Sequence, residues 1–137
     1  MPGLKFVVDG NIGSGKTTQL NLLEAKGYRV KREPIEDWPL ELYYTDPVRW
    51  GLSFQLTVLQ SHSQLIDDPN LCIYERYPGS GTRVFWPLME KTAGEDSVYK
   101  HAFELQGWEP DIFIWINTPP TKCYENITRR EQSGDKS

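Results

Sequence analysis

Residues Gly10 to Thr17 read Gly-Asn-Ile-Gly-Ser-Gly-Lys-Thr, the Gly-x-x-x-x-Gly-Lys-Thr pattern of a phosphate-binding loop. It comes after a hydrophobic stretch, Leu4 to Val8, and precedes an amphipathic one, Thr17 to Lys26. Strand, glycine loop, helix is the context in which this motif has meaning. Glycines let the backbone curl so that successive N–H groups face one phosphate. Lys16 adds charge near the β and γ phosphates, and Thr17 offers a hydroxyl to Mg²⁺. The helix N-terminus contributes its own partial positive charge. Gly10, Asn11, Ile12, Gly13, Ser14, Gly15, Lys16, Thr17 and Thr18 are therefore the candidate nucleotide-binding residues.

A chain of 137 residues makes one domain, 1–137, with room for a core. Net charge is −4, and no basic patch dominates, so nonspecific binding to nucleic acid or an anionic membrane is not expected. No run of about 18 apolar residues exists to span a bilayer. The first residues run straight into a strand, leaving no room for a signal peptide. Cys72 and Cys123 are isolated, lack metal-ligand spacing and fall near core elements, which suits reduced thiols in the cytoplasm.

Along the chain, apolar runs alternate with helical patterns. Leu4–Val8 is strand one and Gly15–Lys26 helix one, with Leu20, Leu23 and Leu22 facing inward and Gly27 ending it. Tyr28–Lys31 is strand two. Pro34, Pro39 and Pro47 break the next segment into loop and short helix. A longer helix spans Val48–Asp67, and Asp68-Pro69-Asn70 is a turn before strand three, Leu71–Tyr74. Pro78-Gly79-Ser80-Gly81 reads as a second glycine-rich loop, with helices over Thr82–Lys91 and Asp96–Gln106. Ile112–Ile116 is continuously apolar, which predicts a strand buried on both faces. Thr121–Arg130 begins another helix. The alternation predicts an α/β fold whose parallel sheet is covered on both sides, with ligands at the carboxyl ends of the strands.

The residues just past each strand are then informative. Strand one leads to the phosphate loop, strand two to Arg32-Glu33-Pro34, strand three to Glu75-Arg76 and strand four to Asn117-Thr118. Pro34 restricts Glu33 to extended backbone. A fixed carboxylate is what phosphoryl transfer to a hydroxyl needs as general base. Arg76 can hold negative charge on the transferred group, and Glu75 can reach Mg²⁺ directly or through water. On the long helix, Gln55, Val58, Leu59 and His62 stand at i, i+3, i+4 and i+7 and share a face. A side-chain amide offers a donor and an acceptor to a nucleobase edge. Taken alone, this face fits a core helix with one satisfied glutamine at least as well.

Several segments in order resemble the deoxynucleoside kinase family, which includes deoxycytidine, deoxyguanosine and thymidine kinases. They are Asp9–Thr18, Glu33-Pro34-Ile35-Glu36-Asp37-Trp38, Tyr43–Pro47 with Trp50, Phe54-Gln55, Glu75-Arg76-Tyr77 running to Phe85, and the arginines near Arg130. The resemblance covers essentially the whole chain. It implies a P-loop kinase fold with strand order 2-3-1-4 and ATP with Mg²⁺ as cofactors. Glu33 matches the family's general base, and Arg76 would hold the 5′ end and the incoming phosphoryl group beside Lys16. Glu75 and Thr17 would serve the metal. Gln55 would bond the base, flanked by Trp38 and Phe85, with Phe54 close by and Val58 on the same wall; Tyr44 would meet the sugar 3′-hydroxyl. Arg129 and Arg130 would belong to a lid, residues 126–137, over the ATP phosphates. Asp135 falls near the position of a family glutamate on the 3′-hydroxyl. The family also implies a homodimer.

Some positions depart from the pattern. Tyr77 replaces a serine, Gly81 stands where cytidine and purine members have an aspartate, and His62 replaces its arginine partner. The small residue at Gly81 points to a thymidine or deoxyuridine substrate, with His62 tuning base choice. Gln132 stands where another lid arginine is expected, and family members continue through a fifth edge strand and an adenine loop. Three alternatives stay open: a thymidylate kinase using Arg32 on a monophosphate, an ATP-binding module without turnover, and an α/β domain with no nucleotide role.

Overall fold

The computed structural model describes residues 3–64 and 69–133. Four parallel strands form one sheet in the order β2-β3-β1-β4: β1 Lys5–Gly10, β2 Arg29–Lys31, β3 Cys72–Glu75 and β4 Ile112–Ile116. This is the strand order expected from the sequence. Registers are Phe6 opposite Ile73 and Ile112, and Val30 opposite Ile73. Parallel pairing sends every strand's carboxyl end to the same edge, and the connecting loops gather there.

Period-two alternation divides the core between the two faces of the sheet. Val8 and Ile73 point to one side and pack on Leu20 of α1, Lys16–Ala25. Val7, Cys72 and Tyr74 point to the other and pack on Tyr77 and Trp108. Leu23 joins the α1 side, but Leu22 is exposed, against expectation. It lies about 200° around the helix from Leu20 at 3.6 residues per turn, so both cannot face the sheet. Gly27, at φ +95, ends α1 as predicted.

Beyond β2, α2 (Leu40–Thr45) and α3 (Pro47–Gln64) pack against each other. Phe54, Gln55, Val58, Leu59 and His62 are the buried face of α3, as their spacing predicts. Asp67, Asp68 and the C-terminal Asp135 lie outside the described residues, as does the side chain of Gln132.

Two further corrections concern the segment between β3 and β4, and β4 itself. Residues 78–81 are not a loop. Pro78–Ser80 is a helical turn, α4, which runs on as a wide turn over Gly81–Phe85 and a tight one over Trp86–Leu88. Pro78 supplies the fixed φ of a first helical position. The Tyr77 backbone N–H donates to Ser80 Oγ at 3.3 Å and closes the start. Gly79 is needed for contact with Tyr77, whose ring lies 2.4 Å from where a Cβ would stand. The next helix, α5 (Ala93–Gln106), begins three residues earlier than Asp96, because Thr92 and Glu95 make a reciprocal cap.

The second correction concerns β4. Ile112, Phe113, Ile114 and Trp115 remain 41–46% exposed. The strand pairs with β1 alone among the described residues, and the helix after it, α6 (Pro120–Ser133), turns toward the phosphate loop. Cys72 and Cys123 are buried and form no disulfide.

Leu20 is fully enclosed between α1 and the sheet. Leu20→Ala should therefore cost about 2–5 kcal/mol by the removed methyl groups and the cavity left behind. Leu22→Ala should cost less than about 0.5 kcal/mol by chemical denaturation. Equal losses would contradict this packing.

Candidate active site

The phosphate loop folds because its glycines take conformations closed to other residues. Gly13 and Gly15 sit at φ +78 and +97, and the Ser14 N–H donates to Asn11 O at 3.0 Å. A Cβ on Gly13 would meet Cys123 O at 2.4 Å, so the loop nests directly on α6. Asn126 Nδ2 donates to Gly13 O at 2.7 Å and Thr118 Oγ1 to Ser14 O at 2.6 Å. These bonds tie the Gly13 and Ser14 carbonyls to α6 and to the turn before it. No side chain caps α1, and its first turn holds no acid. Uncapped N–H groups at a helix start are a ready anion site. Ser14 Oγ is buried with no partner.

Arg76, just after β3, joins the loop to the carboxylates. Its Nε donates to Asp9 Oδ1 at 3.0 Å, Nη1 to Glu33 Oε1 at 3.3 Å and Nη2 to Gly10 O at 3.1 Å. Its guanidinium also lies 5.0 Å over the Phe85 ring. The backbone of Arg76 is left-handed, at φ +61, the one non-glycine so placed among the described residues. Such a conformation costs on the order of 1–3 kcal/mol and clusters at functional sites. Asp9 completes the anchor by accepting from Gly10 N–H and Ser80 Oγ, both at 2.7 Å. Sequence reasoning assigns no role to either Asp9 or Ser80. The one signal for Asp9 is an acid ending an apolar strand.

Glu33 is 7% exposed, not a solvated loop acid. Its N–H donates to Glu75 Oε1 at 2.9 Å, and His62 Nε2 lies 3.3 Å from its Oε2. Lys16 Nζ donates to Gly10 O at 3.4 Å. Burial pushes the Lys16 ammonium below its ordinary pKa and Arg76 adds to this, while Glu75, Glu33 and Asp9 pull it back.

Lys16, Glu33, His62, Glu75 and Arg76 line one hollow of about 1250 Å³. One end is walled by Asn11 to Thr18, Glu33, Glu75 and Arg76. The other is walled by Trp38, Tyr44, Phe54, Gln55, Val58, His62, Gly81 and Phe85, and Arg129 and Arg130 lie at its rim. Gly10 contributes its carbonyl rather than wall surface. Tyr44 is 72% exposed, while its neighbour Tyr43 stacks on Phe54 with ring centroids 4.8 Å apart. Trp38 is held by Nε1 donating to Ser61 Oγ at 3.0 Å. Gln55 Oε1 is buried without a partner, 3.2 Å from where a Gly81 Cβ would stand. Arg32 does not enter; it donates to Asn21 Oδ1 at 2.7 Å and pairs with Glu24.

Among the described residues, no three His, Cys, Asp or Glu side chains gather into a metal cage. Thr17 and Glu75 on the wall suit instead an ion that keeps waters and takes phosphate oxygens as ligands, which is how Mg²⁺ binds. No helix among the described residues is long and apolar enough to cross a membrane.

Comparison with known proteins agrees with this geometry. Residues 6–137 match the family model for deoxynucleoside kinase. The chain is 32% identical to the thymidine kinase of Ictalurid herpesvirus 1 (strain Auburn), over 97% of this chain and 66% of that protein. It is 30% identical to mitochondrial thymidine kinase 2 of Homo sapiens, over 94% of this chain and 56% of that protein. It thus spans between about half and two thirds of these relatives' length. A deoxyadenosine kinase from M. mycoides, solved with products dCMP and a flexible dCDP bound, shares the fold. Its TM-score is 0.76 at 22% identity, covering 93% of this chain and 70% of that one. A P-loop α/β sheet with a carboxylate, an arginine and a glutamine around one hollow, matched over residues 6–137 by one family model, places the chain in the deoxynucleoside kinase family.

Proposed function

We propose that the protein transfers the γ-phosphate of ATP to the 5′-hydroxyl of a deoxynucleoside, with thymidine or deoxyuridine preferred. The observation that carries this reading is the Arg76 bridge, which sets Glu33 against the phosphate loop within a single hollow.

The triphosphate lies along Gly10–Thr17, where N–H groups and Lys16 meet its charge. Thr17 and Glu75 would hold Mg²⁺, which would supply positive charge to the triphosphate. The nucleoside occupies the end walled by Gln55, Trp38 and Phe85. Glu33 accepts the 5′-hydroxyl proton as that oxygen bonds to the γ-phosphorus and the bond from phosphorus to the β-bridging oxygen breaks. ADP leaves, and the proton departs from Glu33 to solvent. Arg76 balances charge on the transferred group. The chemistry is chiefly positioning and electrostatics.

The substrate preference rests on Gln55 and Gly81. The buried Gln55 Oε1 has no donor within the protein, which leaves it open to a donor on the base, such as N3–H of thymine. Beside it Gly81 adds no side chain, which leaves room for a 5-methyl group. Arg32, turned toward α1, is poorly set to take the phosphate of a monophosphate substrate. We read residues 1–137 as one kinase domain, in which the apolar surface of β4 is of the kind a further strand would cover.

Glu33→Gln should lower turnover by roughly 10² or more, while the ATP-dependent rise in melting temperature persists. Undiminished turnover would remove Glu33 as base. Lys16 gives a second check. Burial lowers its pKa in the free protein, and phosphate charge beside it raises that pKa in the complex. ATP binding should therefore take up protons in alkaline solution, and affinity should fall as pH rises through the Lys16 titration. Calorimetry in two buffers of different ionisation heat measures the uptake; identical heats would contradict it.

A further inference from the structure

We propose that His62 is a positioning residue for the Glu33 carboxylate, and not solely part of the wall that meets the base; this rests on Glu33 acting as base.

The two residues are 29 positions apart, and both are nearly fully enclosed, at 2% and 7% exposed. Arg76 Nη1 takes one carboxylate oxygen at 3.3 Å and His62 Nε2 takes the other at 3.3 Å. An ionised carboxylate only accepts, so the ring nitrogen facing it carries the proton. Two donors on opposite oxygens fix the rotation of the carboxylate, and lone pairs remain on both oxygens for a hydroxyl proton. Other charged groups near this pair are Glu75, which accepts from the Glu33 N–H, and Lys16.

The imidazole is itself held. The Trp38 ring meets it edge-on with centroids 5.9 Å apart, and Trp108 Nε1 donates to the His62 carbonyl at 3.2 Å. A histidine that merely filled a core would have both nitrogens satisfied. Here Nδ1 is buried with no protein partner, while Nε2 is committed to Glu33. His62 also stands two turns from Gln55 on the same face of α3, so one helix carries the base-reading amide and the group that aims the proton acceptor.

The test compares His62→Met, similar in bulk but without a donor, with His62→Gln, whose amide N–H can replace Nε2–H. Each is made in the full chain, alone and with Glu33→Gln, and assayed with ATP and, in turn, thymidine, deoxycytidine, deoxyadenosine and deoxyguanosine. His62→Met should lower kcat by about tenfold, with KM for ATP unchanged. His62→Gln should restore most of that loss. In the Glu33→Gln background His62→Met should have no further effect. If His62→Met fails to fold, His62→Asn, too short to reach Glu33, takes its place. A changed ranking of nucleosides with kcat unaltered would overturn the proposal, as would an equal loss in both backgrounds. If Glu33→Gln alone is fully active, the base assignment itself falls and the role of His62 with it; if Glu33→Gln is impaired and His62→Met is not, only the role of His62 falls.

Discussion

A single guanidinium ties the candidate site together. Arg76 reaches Asp9 at the end of β1, Glu33 after β2 and the Gly10 carbonyl of the phosphate loop. The end of β1 with the phosphate loop, the segment after β2 and the end of β3 that carries Arg76 are thereby set at fixed separations. The left-handed backbone of Arg76 opposes this arrangement by on the order of 1–3 kcal/mol. Charge-assisted bonds of roughly 1.5–3 kcal/mol each can offset it. Net stability is not the main consequence, because buried ion pairs often do little better than apolar replacements. What the cluster provides is a carboxylate held still beside an anion-binding loop, and phosphoryl transfer depends on that placement.

Much of the architecture is legible in the sequence because it is written locally. The glycine loop needs particular residues at particular steps, and the parallel sheet arises from alternating apolar runs and helices. The inward face of α3 is readable from spacing alone. The features that do not show are tertiary in origin. Gly79 and Gly81 resemble loop residues in sequence, yet Gly79 exists to let the Tyr77 ring close over it, and Pro78 starts a helix. The Ile112–Ile116 run reads as doubly buried, but burial depends on what lies beyond the strand. Leu22 reads as inward on composition where helical geometry forbids it.

The site divides in the same way. Glu33, Glu75, Arg76 and the loop can be found at strand ends, since parallel topology brings those ends to one edge. Gln55 can be picked out as an amide able to read a base edge, but only resemblance to a family favours that over ordinary core, and Phe85 becomes a candidate through the resemblance alone. Asp9 is hidden: its role is defined by partners 67 and 71 residues away. His62 falls on the correct face, but its contact with Glu33 joins two loosely connected regions of chain and has no sequence signature.

The catalytic reading stands on the relation between the Glu33 carboxylate and a reacting hydroxyl. A crystal structure of the full protein with thymidine and a non-hydrolysable ATP analogue would test it most directly. The 5′-oxygen should lie within hydrogen-bond reach of Glu33, with the γ-phosphate beside Lys16 and in line with that oxygen. A 5′-oxygen well out of reach of Glu33, or an analogue bound away from Gly10–Thr17, would contradict it.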